Sequence, residues 1–212
     1  MGKSSEESTD CNEKLIGILK LLTPLQVYIL AHLRQANIDY AKSIARMIEM
    51  PIEKVAESLE ELEKLGIIER THGAAIKRTE ARFKLSSEVR KHHTYYRLTK
   101  EGKHMLRTIK TNNLLGEYLS SISGYNNALE LLIFLKKARY EHAATISRVF
   151  SVNLEDARSI LRSLVKLNLI VECKPKVLKR KHRKAKPKKE TRTQHKYYRL
   201  SRLGELLLRY YM

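Results

Sequence analysis

Cysteine is nearly absent: Cys11 and Cys173 stand far apart, with no Cys-x-x-Cys pair and no even framework. That excludes a disulfide-stapled scaffold and implies a reducing, cytosolic setting. No run approaches the roughly 18 apolar residues that a membrane-spanning helix needs, and no charged-then-apolar signal opens the N-terminus. Met1-Gly2 begins like a myristoylation site, but Glu6 stands where serine or threonine is wanted. Also missing are a glycine-rich phosphate cradle after a strand, a nucleophile elbow, and paired carboxylates away from helix faces. Gly2-Lys3-Ser4 echoes the end of a phosphate loop, with no room upstream for the earlier glycine and strand. His72, His92, His93 and His104 fall in one neighbourhood, yet no cysteine or acid completes metal-ligand spacing. The sequence predicts no catalytic residue, metal or cofactor; a soluble cytoplasmic protein that is not an enzyme is expected.

Acidic residues are scarce in one half. The formal net charge is +19. Residues 1–110 hold 20 Lys/Arg against 15 Asp/Glu, whereas residues 111–212 hold 22 against 8. From Lys174 to Lys196 there are 12 basic residues and one acid, Glu190. Positive charge so concentrated attracts a polyanion over a Debye length and condenses against phosphates. An evenly solubilising surface would not be confined to one segment.

What the chain does have is a repeat. His93-Thr94-Tyr95-Tyr96-Arg97-Leu98-Thr99 returns 102 residues later as His195-Lys196-Tyr197-Tyr198-Arg199-Leu200-Ser201. Upstream at that offset, Ala41, Ile44 and Arg46 fall on Ala143, Ile146 and Arg148. Leu59, Leu62, Leu65 and Ile68 fall on Leu161, Leu164, Leu167 and Ile170. One domain is written twice, and a unit of this size can bury a modest core. The boundaries follow: a disordered tail over 1–11, a first domain over 12–110, a connection over 111–124 and a second domain over 125–212.

In order, the pattern predicts a short helix over 12–22, then a helix started by Thr23-Pro24-Leu25-Gln26, a capping box with proline in the first turn. Asn37-Ile38-Asp39 breaks it. A short helix over 40–48 and a third over 52–65 follow, the latter with Ile52, Val55, Leu59 and Leu62 at helical spacing and Gly66 as a left-handed cap. Residues 67–70 and 94–98 read as antiparallel strands around an irregular segment, and Thr99 caps a closing helix. The second copy repeats each step. Leu114, Leu115, Tyr118, Leu119 and Ile122 make the connection amphipathic, so a helix is expected there. Tyr95-Tyr96 and Tyr197-Tyr198 alternate across a strand, which predicts one core and one exposed tyrosine in each pair. The fold class is mainly α with small β wings (α+β): two tandem winged helix-turn-helix domains.

The Leu-x-x-Leu-x-x-Leu-Gly-Ile-Ile run from Leu59 and the Tyr-Tyr-Arg-Leu-Thr-x-x-Gly run from Tyr95 resemble winged-helix domains of archaeal transcription regulators and of an uncharacterised archaeal family. The resemblance covers 25–106 and 127–208. It implies a third helix in the major groove and a wing on backbone or minor groove.

The two third helices differ under that expectation. The first presents Glu53, Glu57, Glu60, Glu61 and Glu63 against Lys54 and Lys64, which repels phosphates and points to a basic protein partner. The second presents Arg158 and Arg162 one turn apart with Ser159, Asn153 at the helix start, and Arg148 on the preceding helix. Pairing of Glu155 with Arg158 or Ser159 is the plain alternative. The second wing adds Lys174, Lys176, Lys179, Arg180, Lys181, Arg183, Lys184, Lys186, Lys188 and Lys189, within a polybasic stretch over 174–194. Such an arm follows phosphates without reading much sequence. Six neutralised phosphates correspond to a log K against log salt slope near ~5. The first wing is milder, with Lys77, Arg78 and Arg82. His93 and His195 read equally as phosphate neighbours or strand-edge filler.

The expectation is a nucleoid-associated DNA-binding regulator or chromatin-associated factor gripping double-stranded DNA through the second unit, as a monomeric pseudo-dimer or a homodimer. The alternatives are a tandem winged-helix scaffold for protein partners in a transcription or repair assembly, or an RNA-binding protein.

Overall fold

The computed structural model describes residues 17–72, 81–83, 93–111, 113–174 and 196–212. In the first unit, α1 (Pro24–Ala36), α2 (Ala41–Ile48) and α3 (Ile52–Lys64) are followed by the strands β2 (Ile68–His72) and β3 (Thr94–Leu98) and the closing helix α4 (Lys100–Thr111). A joining helix, α5 (Leu115–Ser123), leads to α6 (Ala128–Ala138), α7 (Ala143–Val149), α8 (Leu154–Lys166), β5 (Ile170–Cys173), β6 (Tyr197–Leu200) and α9 (Arg202–Tyr211). The expected tail over 1–11 and the start of the helix expected over 12–22 lie outside the described residues; 17–21 are helical.

Two strands were not expected. Ile38–Asp39 (β1) and Glu141–His142 (β4) each add a third, antiparallel strand, giving the orders β1-β3-β2 and β4-β6-β5. The segment expected only to break a helix does so by pairing: Ile38 lies opposite Arg97 and Asp39 opposite Tyr96. That pairing also overturns the tyrosine expectation in the first unit, where Tyr95 and Tyr96 are both buried. Tyr96 belongs to the main core, while Tyr95 is covered by Ile38 and Tyr40 on the other face. In the second unit Tyr198 is buried and Tyr197 half-buried, its ring 5.3 Å from that of His142.

The retained motifs have a backbone reason. Thr23 accepts from Gln26 N at 3.3 Å and Gln26 Oε1 accepts from Thr23 N at 2.8 Å, closing the capping box of α1, a device contributing about 1 kcal/mol. Thr99 and Ser201 cap the closing helices by accepting from Gly102 N at 3.1 Å and Gly204 N at 2.9 Å. A Cβ on Gly102 would sit 2.2 Å from Ile67 O, and one on Gly204 2.2 Å from Leu169 O. Only glycine lets the closing helix lie so near the strand. Left-handed or otherwise positive φ recurs at the repeat offset, at Asn37 and Arg139, Glu49 and Ser151, and Gly66 and Asn168. The two copies share a backbone even where their side chains have parted.

The units meet through unlike surfaces. α9 packs along α1, with the Tyr28 and Tyr210 rings 5.7 Å apart and Tyr211 Oη donating to Val27 O at 3.2 Å. The pair related to these by the repeat, α4 and α6, shares no such packing. Side chains explain it: Leu203, Leu206 and Tyr210 on α9 correspond to Glu101, His104 and Thr108 on α4, and Tyr28 on α1 to Glu130 on α6. Apolar surface drives the first contact and polar surface forbids the second. The two units therefore join asymmetrically, since a symmetric pairing would need the same patch on both. The joint is helical as expected, and buried Tyr118 on α5 donates to Leu22 O at 2.8 Å. Burial raises the hydroxyl pKa of Tyr28 and Tyr118 far above the ordinary phenol range. One hydrophobic cluster runs through both units.

Candidate nucleic-acid interface

Each unit carries a helix–turn–helix, α2–α3 and α7–α8, beside a β-hairpin. The outward faces of the second helices differ at matched positions: Glu57 and Glu60 on α3 stand where α8 has Ser159 and Arg162, and Ala56 where it has Arg158. Ser159, Arg158 and Arg162 are all exposed, as is Arg148 in the last turn of α7. Arg158 Nη1 donates to Glu155 Oε1 at 2.6 Å across an exposed turn, the plain pairing foreseen for it. An exposed pair of this kind is worth only ~0.5 kcal/mol, so it orients Arg158 more than it retires it. Asn153 caps α8, accepting from Asp156 N at 2.8 Å and donating to the Asp156 carboxylate. Its amide is thereby committed to the helix start.

Hydroxyls near the turn are spent internally. Ser147 Oγ donates to Val152 O at 2.7 Å, and Thr145 N donates to His142 Nδ1 at 3.3 Å. Ser163 Oγ donates to Ser123 O at 3.2 Å, tying α8 to the joining helix. These contacts hold the turn, and its outward polar groups are Arg148, Arg158, Ser159 and Arg162 with the acids Glu155 and Asp156 at the start of α8.

In the first unit the corresponding turn stands beside the second unit. This turn, Ile48 to Met50, faces Asn168, Val171, Arg199 and Arg202 of the second unit across a cleft of about 300 Å³. Arg202 Nε donates to Met47 O at 3.3 Å. On α3, Glu61 accepts from Gln26 Nε2 at 2.6 Å and Glu63 from Arg70 Nη2 at 2.7 Å, while Glu53, Glu57 and Glu60 are exposed. A carboxylate face beside a braced turn is a poor surface for phosphates.

The wings are described only at their roots. Lys174 is exposed at the end of β5, and Lys196 Nζ donates to Glu172 Oε2 at 3.1 Å. Lys176, Lys179, Arg180, Lys181, Arg183, Lys184, Lys186, Lys188 and Lys189, with Lys77, Arg78 and His195, lie outside the described residues. Arg82 lies in the segment between β2 and β3. Its backbone N donates to Ala36 O at 3.1 Å, setting it against the end of α1. His93 packs on Tyr40 with ring centroids 4.6 Å apart. Burial pushes the half-buried Cys173 thiol up, which disfavours a reactive thiolate. Among the described residues no group of three or more His, Cys, Asp or Glu side chains converges.

Sequence reasoning missed one buried cluster. His32 Nε2 lies 2.8 Å from Asp39 Oδ2, both fully enclosed, and Asp39 also accepts from Ser43 Oγ at 3.0 Å and Tyr40 N at 2.9 Å. The signal was an aspartate between Ile38 and Tyr40 at the N-terminal edge of a helix. In the second unit the positions read Phe134 and Glu141, so the cluster belongs to the first unit alone.

Fold and surface define a tandem winged-helix protein whose two units have diverged in charge. The model of an archaeal family, described as "Uncharacterized protein conserved in archaea (DUF2250)", matches residues 19–109 and again 119–211. The chain belongs to that family, which it contains twice. No curated protein matches it. Among solved structures it is similar to the YusO protein from Bacillus subtilis, at 20% identity over 64% of this chain and 90% of that one, with a TM-score of 0.36. It is also similar to a MarR family transcription regulator, at 20% identity over 69% and 82%, with a TM-score of 0.36. No described helix is long and apolar enough to cross a membrane.

Proposed function

We propose that the protein binds duplex DNA through its second unit, α8 entering the groove and the polybasic segment after Lys174 following the phosphates, and that it acts as a regulator or nucleoid-associated factor. The observation that carries this reading is the matched-position contrast of the two helices, Ser159 and Arg162 against Glu57 and Glu60, on one shared backbone. The turn of the first unit differs in meeting the second unit, where Arg202 Nε donates to Met47 O. Phosphate contacts supply affinity and position, while base edges reached from α8 supply any selectivity.

The test is fluorescence anisotropy of a labelled duplex against salt, for the intact chain and for one lacking 174–194. Tight binding that falls steeply with salt and weakens with the deletion supports the reading. No binding at low salt sinks it. Single-stranded RNA as competitor separates a duplex binder from an RNA binder. A second reading rests on the exposed Glu53, Glu57 and Glu60: α3 docks a basic protein surface while the second unit holds DNA.

A further inference from the structure

A groove on another face of the second unit collects five cations. Lys136 and Arg139 at the end of α6, Arg199 at the end of β6, and Arg202 and Arg209 on α9 line a cavity of about 590 Å³, with Tyr140 on its wall. One acid is present, Glu205, and it already accepts from Arg202 Nη1 at 3.3 Å. The volume falls in the range of small-ligand sites. No lining residue comes from α7 or α8. Leu200 marks the end of β6 away from the wing, roughly 10 Å along the strand from Tyr197 at ~3.3 Å per residue.

In the first unit the matching cations are divided between two cavities. Arg34, Arg82, Lys103 and Arg107 line one of about 310 Å³ that includes no acid, and Arg97 and Lys100 line the one beside it together with Glu69 and Glu101. Four cations thus recur at the repeat offset, Arg34 with Lys136, Arg97 with Arg199, Lys100 with Arg202 and Arg107 with Arg209. This persists although the two recognition-helix faces have changed sign. Arg97 is held by Glu69 at 2.6 Å; the residue matching Glu69 is Val171, so Arg199 lacks that partner. Arg139 sits at φ 69°, a conformation costly for a side chain with Cβ. Its first-unit equivalent is Asn37 at φ 66°, a residue type that tolerates positive φ better.

We infer that the α6–β6–α9 groove is a second binding site for a ligand carrying several linked phosphates, separate from the helix–turn–helix. Guanidinium forks suit phosphate oxygens in pairs, and several cations around one opening suit successive phosphates rather than a single carboxylate. Linked phosphates come either from a free nucleoside triphosphate or from a further stretch of nucleic-acid backbone, and the experiment separates the two.

The intact chain is titrated at low salt with ATP by calorimetry and with a labelled 12-base-pair duplex by anisotropy. The chain carrying Arg139→Gln and Arg209→Gln is compared with one carrying Lys184→Gln and Lys186→Gln, which loses the same charge from the arm. Circular dichroism checks that each variant is folded. The inference expects the groove variant to weaken ATP or duplex binding by at least about tenfold, from two lost charge-assisted bonds, and the arm variant to weaken the same ligand less. An effect on ATP identifies a free nucleotide, and an effect on the duplex alone identifies backbone. Equal weakening by both variants, or no effect of the groove variant on either ligand, overturns the site.

Discussion

The two units share a backbone and have opposite surfaces. Where the first has Glu57 and Glu60, the second has Ser159 and Arg162; where the first buries His32 against Asp39, the second places Phe134 and Glu141. The first unit's α1 is sheathed by α9, while α6 keeps Leu129, Ile133 and Phe134 half-exposed. At matched positions one third helix carries carboxylates and the other a hydroxyl and a cation. What is equal is what the fold requires: capped closing helices, glycines against a carbonyl, positive-φ turns. Four cations also recur at the repeat offset.

The largest effect that separates the units comes from the buried pair. Asp39→Ala removes the carboxylate facing the fully buried His32 and lowers unfolding free energy by about 3–5 kcal/mol. Glu141→Ala, its half-buried counterpart, costs less than about 1 kcal/mol; urea unfolding followed by circular dichroism measures both. A smaller difference between these two means the pair is not the lock described.

Next comes the joint. Tyr210→Ala removes the ring against Tyr28 and costs about 2 kcal/mol, below the full value for a buried aromatic because Tyr210 is half-buried. Thr108→Ala, at the matching place on α4, is near neutral. Unfolding in two resolved steps for Tyr210→Ala, against one for the parent, would mark α9 on α1 as the element coupling the units.

Gly102→Ala and Gly204→Ala are expected to cost about 1–3 kcal/mol each, because the methyl must displace a backbone oxygen in both units. Here the units agree, so unequal losses would limit the shared-backbone argument. Alkaline titration gives a further check. The Tyr28 and Tyr118 hydroxyls have raised pKa values in the fold, whereas an unfolded tyrosine releases its proton near ~10. Stability is therefore full below that value and declines as pH rises above it. Tyr118→Phe should flatten the decline.

The smallest effect is the most direct on function. Glu57→Ser with Glu60→Arg gives α3 two of the polar groups of α8, and duplex affinity should rise a few-fold at most while the turn of the first unit stays beside the second unit. The reverse exchange on α8, Ser159→Glu with Arg162→Glu, should weaken binding about tenfold or more, read by anisotropy at fixed salt. Equal responses would mean that neither helix enters the groove and that the basic segment alone binds.

Periodicity and local chemistry made most of the fold legible. The Val55, Leu59 and Leu62 spacing, the Thr23-Pro24-Leu25-Gln26 start and the Gly66 stop depend on neighbours within a few residues, so they can be read along the chain. The two-residue strands at Ile38 and Glu141 could not, because their partners lie 59 and 57 residues away at Arg97 and Tyr198. Charge on α3 and α8 and the pairing of Glu155 with Arg158 were legible for the same local reason, but the role of Asn153 as a cap needed the helix in place. Arg82 read as a wing residue and sits against α1, since nothing local records which way a long irregular segment returns.

By itself the sequence determined the repeat, the unit it encodes, the reversal of charge between the two third helices and the basic stretch after Lys174. Only the tertiary structure decided that the units join asymmetrically, that the first turn stands beside the second unit, that His32 meets Asp39, and that four of the repeated cations gather in one groove of the second unit. The first set follows from residues a turn or a strand apart. The second depends on surfaces far apart in the chain, where apolar complementarity selects one packing and excludes its mirror.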